Sequence, residues 1–329
     1  MSFNINLLNL ASHLNAYLIS MKNILIIYYS QSGQLTEIAE NFAKPFKASD
    51  QYSITYAAIK PVKEFGFPWK GYEFFDSLPE AVMKIPCEIE PFNLENKDYD
   101  LIVFAYTVWY MSPAIPSMSF LLSDEAKQLF KDKPVITLLG SRNMWVVAQE
   151  YVKEQLIKLN ANLVGNIVLR DRAENLTGII TISYFLFTGK KDRFLGIFPK
   201  PGVSEKDIKG TENFGEIVKK NWENNNLENV QSELVKAKAL KVNAYLAGTE
   251  RMAFKNVFTK WATFILKKGG AGDPNRKIRV KIFANYFPFA ILLIAPIKYV
   301  FFLIFAPFKL KSIRKEIKYY SGVKLKSNF

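Results

Sequence analysis

Cysteine and histidine are nearly missing from this chain. Cys87 is its one cysteine and His13 its one histidine among 329 residues. A single thiol excludes an intrachain disulfide and makes a reducing compartment the default. A single imidazole excludes histidine-built metal sites, so no metal centre is expected, and it argues against a Ser-His-Asp triad. Even His13 falls in residues 1–20, which read as an extension that is not part of the native fold, because a second methionine, Met21, opens the first convincing strand. That extension lacks the basic start and clean apolar run of a secretory signal.

Two phosphate-binding patterns are absent as well. Neither G-x-G-x-x-G nor G-x-x-x-x-G-K-[ST] occurs, which removes the dinucleotide fingerprint and the nucleoside-triphosphate loop. The GGAG at 269–272 follows no strand and reads as a linker. Acids are scarce at one end: from Arg251 onward 17 Lys and Arg face only Asp273 and Glu316, a balance of +15, while the first 250 residues carry 27 bases and 28 acids. A neutral body with a basic tail is not the uniform positive surface of a nucleic-acid binder, and no nucleic-acid partner is expected.

What is present alternates. Short apolar runs at 23–29, 52–59, 100–105, 133–139 and 163–169 read as strands, and amphipathic stretches at 36–46, 145–159 and 202–222 read as helices. The last has Ser204 as N-cap with Asp207 three residues on. Buried-style strands separated by helices predict an α/β domain over 21–223, a doubly wound five-stranded parallel sheet, with insertions near 60–90 and 172–200. The insertions contain FGFPWKGYEFF (65–75) and TGIITISYFLF (177–187), which read either as buried packing or as an apolar lid over a pocket. A helical, apolar and basic region, 224–329, follows.

Within that region, 283–308 is long enough to cross a bilayer. Pro288, Pro296, Pro307 and Lys298 interrupt it, and basic clusters flank it on both sides: Arg276, Lys277, Arg279 and Lys281 before, Lys309, Lys311, Arg314, Lys315 and Lys318 after. Flanks of one sign on both sides predict a re-entrant or in-plane hairpin at the cytoplasmic face of the inner membrane, docked on an anionic surface, over one crossing. An ordinary buried helix pair is the alternative.

Three loops fall at the carboxyl ends of strands. Ser30, Gln31, Ser32, Gly33, Gln34, Leu35 and Thr36 join the first strand to the first helix, where free amides and a partial positive charge attract an anion. Thr107, Val108, Trp109 and Tyr110 follow the third strand, and Gly140, Ser141, Arg142, Asn143 and Met144 follow the fourth. Each loop by itself also reads as capping or core. Together, in the flavodoxin-like order 2-1-3-4-5, they suit flavin mononucleotide (FMN) at the switch point between the first and third strands.

YYSQSGQLTEIA resembles the flavodoxin signature of S/T-x-S/T-G-x-T type, with Ser30, Ser32, Gly33 and Thr36 matching and two residues, not one, between Gly33 and Thr36. The set MKNILIIYYSQSGQLTEIAE, FPWKGYEFFDSLPEAVMKIPC, VWYMSPAIP, SRNMWVVAQE and KKGGAGDPNRK is similar to the flavodoxin-like proteins of dialkylresorcinol and flexirubin pigment clusters, often labelled dialkylresorcinol condensing enzymes. The resemblance implies that a partner ketosynthase performs the condensation and that this component, with FMN, aromatises a dialkylcyclohexane-1,3-dione. It assigns no catalytic residues. From the residues themselves, Tyr110 is a candidate acid/base and Arg142 a partner for a developing enolate; equally, Tyr110 only stacks and Arg142 pairs with a carboxylate. Tyr106 is a further candidate. A lipophilic substrate explains the apolar insertions, and the basic face suits an anionic membrane or an acidic acyl carrier protein. A membrane-associated FMN quinone reductase or electron carrier, and a scaffold for ketosynthase and carrier, are the competing readings.

Overall fold

A computed structural model describes residues 21–95, 98–173 and 175–325; the extension 1–20, with His13, lies outside the described residues. The sheet begins with β1 (Lys22–Tyr28), whose Ile24, Leu25, Ile26 and Ile27 are all buried. A strand apolar on both faces is the mark of a parallel sheet covered on both sides. Next come α1 (Gln34–Lys47), β2 (Tyr52–Ala58), two short helices α2 (Glu73–Asp76) and α3 (Leu78–Met83), and β3 (Leu101–Trp109). A two-residue β4 (Ser112–Pro113), α4 (Ile115–Leu121), α5 (Asp124–Phe130), β5 (Pro134–Ser141), α6 (Val146–Lys158) and β6 (Asn162–Arg170) complete the sheet.

The strand order is β2-β1-β3-β5-β6, all parallel, with β4 antiparallel on β3. Leaving β4 aside, this is the flavodoxin-like order 2-1-3-4-5. The sixth strand is a departure from the expected five, and it has a local cause. The segment after Ala105 continues as strand to Trp109 and reverses at Tyr110 and Met111, with φ of 49° and 60°. Positive φ at both central residues is what a tight hairpin of this hand requires.

Two cores flank the sheet. On one face α1 packs against α8 (Glu205–Glu223), where Gly215 permits the approach: a Cβ there would sit 2.1 Å from Phe42 O. Ser204 caps α8 as expected, its Oγ accepting from Asp207 N–H at 3.2 Å. Between β6 and α8 the second insertion forms α7 (Asn175–Thr188). The other face carries α3 to α6 and most of the C-terminal helices.

Those helices are α9 (Val230–Lys236), α10 (Ala244–Ala253), which runs through a π turn (Phe254–Phe258) into α11 (Thr259–Leu266), then α12 (Lys277–Phe305) and α13 (Leu310–Tyr320). No hairpin lies within 283–305: α12 is one helix through Pro288 and Pro296. A proline removes one helical hydrogen bond, a loss that a 29-residue apolar helix absorbs. The reversal falls instead at Ala306–Lys309, where Pro307 opens a 3₁₀ turn. The tail then returns to the body: Arg251 pairs with Glu316 at 2.7 Å, and Gln231 Nε2 donates to Ser321 O at 2.6 Å.

Candidate functional site

The carboxyl edge of the sheet encloses a cavity of about 310 Å³. Ser30, Gln31, Ser32, Gln34 and Leu35 reach it from the β1–α1 turn, Thr107, Val108, Trp109 and Tyr110 from the end of β3, and Gly140, Ser141, Arg142, Asn143 and Met144 from the end of β5. Gly33 and Thr36 belong to the same turn without lining the cavity. Gly33 is the residue before α1, at φ 82°, and Thr36 N–H donates to Ser30 Oγ at 3.2 Å. A side chain at Gly33 would meet no atom within 4 Å, so the turn is open on that side.

Two members of the turn hold neighbours in place. Gln31 Nε2 donates to Gly66 O at 2.9 Å, and Gln34 exchanges bonds with Val203, accepting its N–H at 3.0 Å and donating to its carbonyl at 3.1 Å. Trp109 packs edge-on against Phe65 and Trp69, each at 5.2 Å between ring centroids, which fixes its orientation. Thr107 Oγ1 and Ser141 Oγ are buried at the cavity and bond to no protein group. Buried hydroxyls in that state are ready donors and acceptors for a polar ligand.

Tyr110 lines the cavity as a packed ring. Its hydroxyl donates to Phe74 O at 2.7 Å, its ring lies 4.9 Å from that of Phe74, and burial pushes its pKa well above the ordinary phenol value. Tyr106 is fully buried away from the cavity, donating to Gln149 Oε1 at 2.6 Å. Arg142 does line the cavity; burial lowers its pKa, and the opposite charge of Asp171 counters that. A guanidinium stays protonated under such a shift.

Sequence reasoning missed Asp171, which lines the cavity and accepts N–H bonds from Ala173 at 2.8 Å and Gly202 at 3.2 Å. Its place just past β6, at the carboxyl edge, was the available signal. Both apolar insertions reach the cavity. Phe67 and Phe74 come from the first, and Ile179, Ile182, Ser183, Phe185 and Leu186 from α7. They are joined to each other, with Trp69 N–H donating to Leu186 O at 2.8 Å and the Phe67 and Phe185 rings 5.0 Å apart. The C-terminal helices add Phe258, Phe287 and Ile291, which no local pattern distinguished from tail.

The tail also holds the β5–α6 loop. Glu250 of α10 is fully buried and accepts the Trp145 and Val147 amides at 3.1 and 3.2 Å, capping α6 across 105 residues of sequence. At the base of α12 the buried Arg276 is held by Asp76 at 2.7 Å and Glu80 at 2.6 Å, so it takes no part in the basic surface expected of it.

No protein-family model matches the chain, and no curated protein matches it. Solved structures do. A flavoprotein from Lactobacillus acidophilus in complex with FMN is 24% identical over 45% of this chain and 93% of its own, with a TM-score of 0.36. A flavoprotein from Bacteroides eggerthii is 18% identical over 51% and 99%, at 0.36, and a flavodoxin from the domain Archaea 11% identical over 64% and 99%, at 0.34. At these values the likeness concerns the fold alone.

Proposed function

We propose that the chain is an FMN-dependent oxidoreductase that dehydrogenates a dialkylcyclohexane-1,3-dione to a 2,5-dialkylresorcinol at the cytoplasmic face of a membrane. The observation that carries this reading is a cavity of two natures. One side carries a polar helix-start turn and the Thr107 and Ser141 hydroxyls, and the other is a wall of Phe and Ile drawn from α7, the π turn and α12. Ser30 and Ser32, beside the open turn at Gly33, suit the phosphate of FMN, and Thr107 and Ser141 supply hydroxyls for its sugar chain and ring edge. Bound there, FMN supplies the capacity to take up a hydride.

The chain's own residues do the rest. A 1,3-dione ionises to an enolate spread over two oxygens, and the Arg142 guanidinium, whose charge Asp171 supports, holds that charge. The apolar walls position the alkyl chains and exclude water. Loss of a hydride from C5 and of a proton from the neighbouring C4 to solvent then leaves the enolate of the ring enedione, which becomes the resorcinol when a C6 proton moves to oxygen and solvent returns one proton. An external two-electron acceptor, dioxygen or a quinone, restores the cofactor. Tyr110 is not used as a base, since its proton is engaged by Phe74 O. A partner ketosynthase, fed by an acyl carrier protein, supplies the dione in this scheme.

The test is the visible spectrum of the full chain purified in detergent. Yellow protein whose bands bleach without oxygen on adding a dialkylcyclohexane-1,3-dione is the expected result. Arg142→Met should slow bleaching about 100-fold while FMN stays bound. Colourless protein that takes up no FMN overturns the reading. Protein reduced by NAD(P)H, reoxidised by quinone and inert to the dione is a quinone reductase instead.

A further inference from the structure

The second half of α12 presents an apolar surface that none of the described residues covers. One stripe of the helix faces the body. Phe283 packs 6.4 Å from Phe258 and Phe287 5.7 Å from it, while further along Tyr299 and Phe302 pack 5.0 and 5.2 Å from Tyr245. Sequence numbers rise along α12 as they fall along α10–α11, so the two run antiparallel, and α12 is strapped to the body over about 28 Å of its length. Held at both ends in this way, the helix lies along the body.

Its opposite side is exposed. Phe289 is 64% exposed, Phe301 57%, Ile304 55% and Phe305 50%, with Leu292, Leu293, Ile297 and Val300 comparably open. With eight side chains of ~150–200 Å² about half exposed, this patch reaches roughly 700 Å², beyond the largest patch of a typical soluble monomer. No acid occurs between Asp273 and Glu316, while Lys277, Lys281, Lys309, Lys311, Arg314, Lys315 and Lys318 are exposed around it and Arg279 is half-buried. Apolar side chains edged by cations alone match the acyl region and headgroups of an anionic bilayer. A second copy of the chain would bring the same positive charge to the contact, and a carrier protein would cover the basic residues while leaving the apolar ones in water.

The same helix is a wall of the cavity. Phe287 and Ile291 line it, and Ile182 and Leu186 of α7 line it alongside. One helix diameter, about 10 Å, therefore separates the cavity from the exposed face. We propose that α12 docks flat on an anionic phospholipid bilayer and that the cavity takes its lipid-soluble ring substrate sideways from that bilayer, between α7 and α12. The docking half stands alone; the uptake half rests on the flavin reading above.

Flotation with phosphatidylglycerol/phosphatidylcholine vesicles tests the docking. The full chain should float with them, float about 10-fold less with phosphatidylcholine alone, and lose about 10-fold in partition on Phe301→Glu/Phe305→Glu. Protein that stays at the bottom, equal flotation of the double variant, or a discrete dimer that no longer binds vesicles overturns it. For uptake, a decyl-substituted cyclohexane-1,3-dione is presented in the same vesicles or in detergent micelles, and anaerobic flavin bleaching is followed. The double variant should slow bleaching about 10-fold from vesicles and stay within twofold of the parent from micelles. Equal rates from both sources, or equal slowing in both, overturn sideways uptake. Vesicle binding without bleaching from either source leaves the docking standing and refutes the proposed reaction.

Discussion

Replacing Arg276 by alanine asks whether the tail is built into the site or merely attached to it. Arg276 is fully buried; its Nε donates to Asp76 Oδ1 at 2.7 Å, Nη1 to Glu80 Oε1 at 2.6 Å, and Nη2 to Glu80 Oε2 at 3.2 Å and Asp76 O at 2.6 Å. Burial works against its charge, but the Glu80 and Asp76 carboxylates outweigh burial and raise its pKa, so the guanidinium is charged at every working pH. Alanine leaves Glu80 buried without its partner, a defect that costs about 3–5 kcal/mol where both acids are enclosed. Asp76, whose side chain is 30% exposed, recovers part of its hydration, which places the expectation near 3 kcal/mol, roughly 100-fold in the unfolding equilibrium. Urea unfolding in mild detergent, followed by tryptophan fluorescence, reads it. Arg276→Lys keeps the charge but loses the fork and should fall between parent and alanine. Arg276→Met combined with Asp76→Asn and Glu80→Gln should recover most of the loss, since no buried charge is then left over. Because α2 also carries Phe74, the acceptor for Tyr110, FMN affinity should drop with the clamp. An alanine variant within 0.5 kcal/mol of the parent, or a neutral triple variant less stable than Arg276→Met, would refute the reasoning.

Gly33→Ala should weaken FMN binding roughly 5–30-fold, because φ 82° costs a side chain about 1–2 kcal/mol although nothing obstructs it. Flavin fluorescence titration measures this, and an unchanged dissociation constant would remove the turn from the phosphate site. Glu250 makes stability pH-dependent. Burial pushes its pKa up to about 8 against the opposing α6 amides, so between pH 4.5 and 8 the folded chain holds a proton that the unfolded chain has released. Stability therefore falls as pH rises across that window, by at most about 5 kcal/mol at 1.36 kcal/mol per unit. Glu250→Gln should flatten the slope in urea midpoints measured from pH 5 to 8; an identical slope in the variant would show that another group is responsible.

How far the site was legible depends on sequence separation. The SQSGQLT turn, the GSRNM loop and the Ser204 cap are local patterns whose chemistry acts within a few residues; the first two lie at the carboxyl edge of the sheet, and Ser204 caps α8. The β3 segment was legible as strand but not in length, because Thr107 becomes strand by pairing with Gly140 of β5, and Val108 and Trp109 by pairing with Pro113 and Ser112. Tyr110 looked chemical by its residue type and position, yet its role is set by Phe74, 36 residues earlier. Nothing near Asp171 in sequence reveals that it faces Arg142.

The amino-acid sequence by itself determined the strand runs, their alternation with helices, the anion-attracting turn and the basic apolar tail, because burial period and helix capping are properties of neighbouring residues. Tertiary structure alone decided where the tail lies. Arg276 meets Asp76 across 200 residues and Glu250 meets the start of α6 across 105. A buried polar or charged group is stable only where its partner lies within hydrogen-bond reach, and folding sets that distance. Those two contacts turn a segment that reads as a detachable anchor into a wall of the cavity.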